Sequence, residues 1–128
     1  MRFVTDRKRA RGLGAAHSGV EHHWSMIVSS AGLVVLVPLF VFTFGPVLGA
    51  PYEEVVAYYA RPFPALVAAL TITVGFLHFK NGVRVMIEDY VGGLWREVLI
   101  VAMTCLSWAA IAVGLFALAR LALRGLAL

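Results

Sequence analysis

Charge is scarce in this sequence. Charged residues fill 14% of the 128 positions and apolar residues 61%, where soluble domains average about 25% and about 45–50%. With a mean hydropathy of +0.86, the chain is expected to be a membrane protein and not a water-soluble domain. Cysteine is nearly absent as well. A single Cys105 excludes a disulfide within the chain and a multi-cysteine metal site. Acid is scarcer than base, 7 Asp and Glu against 11 Lys and Arg, yet the excess is gathered at the N-terminus and not spread over a face, so nucleic acid is not expected as a partner.

What the sequence has instead is long charge-free runs. A helix needs roughly 20 apolar residues to cross about 30 Å of hydrocarbon, and the chain offers runs at about 24–44, 62–79 and 98–119, the second continuing as a more polar stretch to about 90. No water is present in a bilayer to satisfy backbone groups, and the runs lack barrel-like alternation, so helices are expected. Pro38 should kink the first. Gly45-Pro46 and Gly49-Ala50-Pro51 mark a loop before span two, where Glu53-Glu54 suggest a short surface helix and Tyr52, Tyr58 and Tyr59 suit an interface. Gly92-Gly93 makes the second connection short, so spans two and three should be antiparallel neighbours.

Basic residues near span ends are retained in the cytoplasm. Arg2, Arg7, Lys8, Arg9 and Arg11 therefore put the N-terminus inside, and Lys80, Arg84 and Arg96 fall on the same side, against Arg61, Arg120 and Arg124 outside. The first apolar run starts too late and runs too long for a cleaved signal peptide. The expected organisation is a basic cytoplasmic segment, 1–23, followed by a single three-helix transmembrane domain, 24–128, with spans of about 24–44, 62–90 and 98–119.

Ionisable groups inside a span are costly and usually face protein, cofactor or water. At 100° per residue, His78 and Asp89 lie within about 20° of one another after three turns, so they share a face, with Gly82 and Val85 on the same stripe. His78 should lie roughly 16 Å deeper than Asp89. A neutral imidazole at that depth suits a haem ligand, and Gly82 one turn on would let a flat macrocycle approach; the plainer alternative is a hydrogen bond to a neighbouring helix. His17, His22 and His23 precede or open the first span, so a bis-histidine haem needs its second ligand from another chain unless one of them folds back. His22-His23-Trp24 otherwise reads as an interfacial cluster of amphipathic rings. Asp89 and Tyr90 put a carboxylate and a neutral phenol donor at the helix end, fitting either a quinone site or an ordinary interface. Lys80 and Arg84 fit snorkelling side chains, and either could face haem propionates.

The segment His78-Phe-Lys-Asn-Gly82-Val-Arg-Val-Met-Ile-Glu-Asp89-Tyr90-Val91 resembles the His-x10-Asp-Tyr-Val signature of the hydrophobic membrane anchor subunits of succinate dehydrogenase, respiratory complex II. The stretch Gly12-Leu-Gly14-Ala-Ala-His17-Ser-Gly19, the His22-His23-Trp24 cluster, the three-span layout and the tyrosine-bearing loop are similar to bacterial members as well. The resemblance implies an all-α membrane protein whose three transmembrane helices pack with a sister subunit in a helical bundle holding haem. His78 would be one axial ligand to the iron of a haem b shared with the sister cytochrome b subunit. Tyr90 would hydrogen-bond ubiquinone, with Asp89 beside it. FAD and iron-sulfur clusters would belong to flavoprotein and iron-sulfur partner subunits on the cytoplasmic side of a bacterial inner membrane, and this chain would perform no dehydrogenation itself. Electrons from succinate oxidation in the tricarboxylic acid cycle would pass to ubiquinone and the respiratory chain. Many relatives carry an arginine soon after the His/Trp cluster; Ser25-Met26-Ile27-Val28 offer none, leaving Arg84 or a partner residue for a haem propionate. A quinol-oxidising fumarate reductase anchor shares these features, and a cofactor-free scaffold or transporter subunit would share the spans alone.

Overall fold

The computed structural model describes residues 5–7 and 16–125, with side chains of the long segment described from 19 to 123. Arg2, Lys8, Arg9 and Arg11, and the side chains of His17 and Arg124, lie outside the described residues. Every regular element among those described is helical: α1 (Ala16–Phe44), a 3-10 turn (Gly45–Val47), α2 (Tyr52–Tyr59), α3 (Pro62–Tyr90) and α4 (Gly93–Gly125). Within them, Gly19–Val47, Pro62–Tyr90 and Gly93–Leu123 are long and apolar enough to cross a membrane.

The hydroxyl residues within these spans show how apolar helices tolerate polar groups. Ser29, Ser30, Thr43, Thr71, Thr73 and Ser107 each donate to the carbonyl four residues back, at 2.7–2.9 Å, so these six hydroxyl protons do not face lipid. α1 begins at Ala16 and runs on past Pro38 to Phe44. It starts well before the charge-free run because Glu21, His22 and His23 oppose lipid burial, not helix formation. α4 likewise extends beyond its charge-free run at both ends, taking in Arg96, Glu97 and Arg120.

Turn chemistry sets the connections. Gly49 adopts φ 81° in the loop where Leu48 N–H bonds Gly45 O at 3.1 Å and Ala50 N–H bonds Val47 O at 3.2 Å, a backbone region that favours glycine. Glu53 and Glu54 occupy the first turn of α2, where the helix dipole favours carboxylates. Gly93, at φ 65°, reverses the chain between α3 and α4. Arg96 then reaches back, its Nε donating to Val91 O at 3.0 Å and its Nη2 to Glu88 O at 3.3 Å, which satisfies carbonyls the end of α3 leaves open.

α3 is the middle of a row. It packs against α1 and against α4, while α1 and α4 make no contact with each other among the described residues. Accordingly 17% of the most apolar stretch of α3 is buried, against 6% for α1 and 11% for α4. Small residues permit the close approaches: a Cβ on Gly32 would stand 3.6 Å from Val74 Cγ1 across α1–α3, and one on Gly114 would stand 3.2 Å from Ile72 across α3–α4. The buried pair Ser107 and Ile111 shares the Gly114 face of α4 at helical spacing. At the end opposite the α3–α4 turn, Val47, Tyr59 and Ala68 form a small core against Phe40, Val55 and Leu118. Burial first, and then the charge of Tyr58, raise the Tyr59 hydroxyl above the ordinary tyrosine value. Broad apolar faces remain exposed, including Val34, Phe42, Val113 and Phe116.

Candidate functional site

The helical stripe on α3 meets α1. His78 is half-buried and its Nδ1 lies 3.0 Å from Ser29 Oγ; one turn on, a Cβ at Gly82 would stand 3.9 Å from Met26 Cε. Beside them Asn81 Nδ2 donates to Ser25 Oγ at 3.0 Å. Ser25 and Ser29 are one turn apart on α1 and Asn81 and His78 nearly one turn apart on α3, so the two antiparallel helices are joined by a short polar ladder. Polar side chains within two apolar spans pair because the alternative is an unmet polar group in hydrocarbon.

The interhelical hydrogen bond expected as the plainer reading of His78 is present, and it occupies one ring nitrogen. No hydrogen bond engages Nε2 among the described residues. A neutral imidazole carries one N–H and one lone pair, so His78 retains a donor atom for a metal after satisfying its neighbour. Gly75, nearly one turn before His78 and about 60° around the helix, has nothing within 4 Å of a built Cβ, leaving bare backbone beside the imidazole. Among the described residues no three His, Cys, Asp or Glu side chains cluster as an ion site, so His78 could offer a metal only a single ligand from this chain's described residues. A lone imidazole nitrogen of this kind would fit a haem iron, and a second ligand would have to come from outside the described residues.

Asp89 and Tyr90 lie at the end of α3, both exposed, Tyr90 to 86%. They share the helix with His78 but stand three turns from it, so the two polar positions are successive stations along α3. Arg84 turns to Glu88, its Nε donating to Oε1 at 2.8 Å. That pairing uses one of the guanidinium donors and leaves the Nη groups for an anion. Lys80 points to the other side, its Nζ 5.7 Å from the Trp108 ring centroid on α4, away from the His78 face.

Spacing did not reveal two features. Ser29 could have been found as a hydroxyl at helical spacing from Ser25 in an otherwise apolar run, but only packing shows that it meets His78. His22 carries a buried Nε2 that has no hydrogen-bond partner among the described residues. It lines a cleft of about 630 Å³ with Gly19, His23, Met26, Ser30 and Val85, and a smaller one of about 240 Å³ with Arg84 and Glu88. The tripeptide His22-His23-Trp24 thus divides: His23 and Trp24 are exposed, while His22 turns toward α3.

The family described as succinate dehydrogenase/fumarate reductase transmembrane subunit matches residues 1–119. The chain is 47% identical over 123 residues to a succinate dehydrogenase hydrophobic membrane anchor subunit of Paracoccus denitrificans, covering 96% of this chain and 95% of that one. No solved structure matches the chain at a significant level. Three apolar helices and these likenesses make it a multi-pass membrane protein.

Proposed function

Because the chain belongs to the succinate dehydrogenase/fumarate reductase transmembrane subunit family, we propose that it is the hydrophobic membrane anchor of a succinate:ubiquinone oxidoreductase. The observation that carries this reading is the likeness to the Paracoccus anchor subunit over nearly the full length of both chains. Its setting is a bacterial inner membrane, with the basic segment 1–23, Lys80, Arg84 and Arg96 on the cytoplasmic side and 24–128 as one membrane domain. The exposed apolar faces of the α1–α3–α4 row suit a sister cytochrome b subunit and lipid. A flavoprotein and an iron-sulfur subunit dock at the cytoplasmic end, where α3 finishes.

A b haem, when bound, supplies one-electron transfer; the rest is done by this chain's side chains. His78 would hold the haem iron through Nε2 from the wall of α3, with a second ligand coming from the sister subunit. The free Nη donors of Arg84 suit a propionate carboxylate, and Glu88 holds that guanidinium in place. Tyr90 donates its phenolic hydrogen to a ubiquinone carbonyl and adds no charge to an apolar pocket. Asp89, next to it and exposed, can hold a proton between quinone and water. The flavin and iron-sulfur chemistry of succinate oxidation belongs to the partner subunits.

Cells lacking this chain test the proposal. Succinate oxidation by an artificial acceptor should move from membrane to soluble fraction, and succinate:ubiquinone activity should vanish until the chain is restored. Full membrane-bound succinate:ubiquinone activity without the chain would overturn the reading.

A further inference from the structure

We infer that Ser29 is a positioning residue for His78: its hydroxyl oxygen accepts the Nδ1–H, fixing the tautomer that leaves the Nε2 lone pair for iron. This rests on His78 being a haem ligand.

The single hydroxyl proton of Ser29 decides the direction of this bond. Ser29 Oγ lies 2.7 Å from Ser25 O, 3.1 Å from Met26 O and 3.0 Å from His78 Nδ1. The two carbonyls only accept. The 2.7 Å contact has the length of an O–H···O bond and the 3.0 Å contact that of an N–H···O bond. The proton therefore belongs on the Ser25 carbonyl side, and Oγ presents a lone pair to the imidazole. Nδ1 is then the protonated nitrogen and Nε2 the basic one.

The bond back to its own helix also sets the side-chain rotamer of Ser29, so the acceptor is held in place by α1 and not by the histidine. Asn81, donating to Ser25 Oγ at 3.0 Å, holds the register of the two helices at the same level. A hydroxyl acceptor differs from the carboxylate that often backs a metal-bound histidine. It orients the ring and makes Nε2 a somewhat stronger electron donor to a metal, without drawing Nδ1 toward a full imidazolate. Loss of this bond should weaken the donor and favour the ferrous state, raising the haem potential, and free the ring to rotate, lowering haem affinity by about ten- to a hundredfold.

The test uses the whole detergent-solubilised complex, isolated through a tag on this chain, with the wild type and the Ser29→Ala, Ser29→Cys, Ser29→Thr and His78→Ala variants. Haem per flavin, the potential by equilibrium redox titration and the ferric low-spin EPR spectrum are read for each. The expected result is a raised potential and altered EPR spectrum for Ser29→Ala, a smaller change in the same direction for Ser29→Cys, whose thiol is a weaker acceptor, and wild-type values for Ser29→Thr. Wild-type haem content, potential and EPR spectrum in both Ser29→Ala and Ser29→Cys would overturn the role of Ser29. If those variants match wild type while His78→Ala loses the b-type signal, the positioning role alone falls. If His78→Ala keeps the wild-type signal, the ligand assignment falls and this inference with it.

Discussion

Replacing Gly114 by valine should loosen one side of the helix row and leave the other intact. Any side chain at 114 places its Cβ 3.2 Å from both Cδ1 and Cγ2 of Ile72, tighter than ordinary van der Waals contact, so even an alanine methyl obliges Ile72 to yield by a few tenths of an ångström. Valine adds two more carbons at that crowded point, and overpacking of this kind costs about 1–3 kcal/mol. Ile72→Ala removes both crowding atoms, so the double variant should recover part of the loss, with a coupling of about 1 kcal/mol or more between the two positions. Ile72 lies roughly 120° around α3 from His78, and the α4-facing Lys80 roughly 160°, so the environment of His78 should not move. The assay is thermal unfolding of the detergent-solubilised complex, with the haem absorption spectrum recorded before heating. Wild-type stability in Gly114→Val, or strictly additive effects in the double variant, would refute the α3–α4 contact. A shifted spectrum with unchanged stability would refute the separation of the two faces.

Tyr90→Phe should lower succinate:ubiquinone turnover while haem content stays at the wild-type level; equal turnover in membranes would count against Tyr90 as a quinone donor. Arg96→Ala removes the bonds to Val91 O and Glu88 O and should loosen the end of α3 by about 1 kcal/mol, seen as faster amide exchange at Val91 and its neighbours, with protection unchanged if the bonds contribute nothing. Tyr59, whose hydroxyl is raised above the ordinary tyrosine value chiefly by burial, binds its proton more tightly folded than unfolded. Its contribution is complete below about pH 10 and is lost as pH climbs through the folded-state value. Melting temperature should therefore fall more steeply above pH 10 for wild type than for Tyr59→Phe, and parallel curves would contradict this.

The spans were legible because charge is so scarce that its absence over twenty positions has few other meanings, and the Gly92-Gly93 reversal because a short turn at positive φ needs glycine. The shared face of His78 and Gly82 was legible because helical period is a property of the backbone. Helix ends were not: the charge-free runs report where lipid burial stops, whereas α1 and α4 carry on through His22, Glu21 and Arg120, which tolerate helix and prefer the interface. The order of the row was also hidden, since three apolar helices in series can close into a triangle as readily as they lie side by side. Which helix met the His78 stripe depended on that order. The meeting of Ser29 with His78, 49 positions apart, and the inward turn of His22 are consequences of packing that neither residue's neighbours encode.

The proposed role is that of a chain holding haem through His78 within a succinate-oxidising assembly. Its most direct test is the succinate-reduced minus oxidised absorption spectrum of the complex isolated through a tag on this chain, wild type beside His78→Ala. A b-type signal should co-purify with flavoprotein and iron-sulfur subunits and be altered or abolished in the variant. An assembly without haem, or a signal identical in His78→Ala, would contradict it.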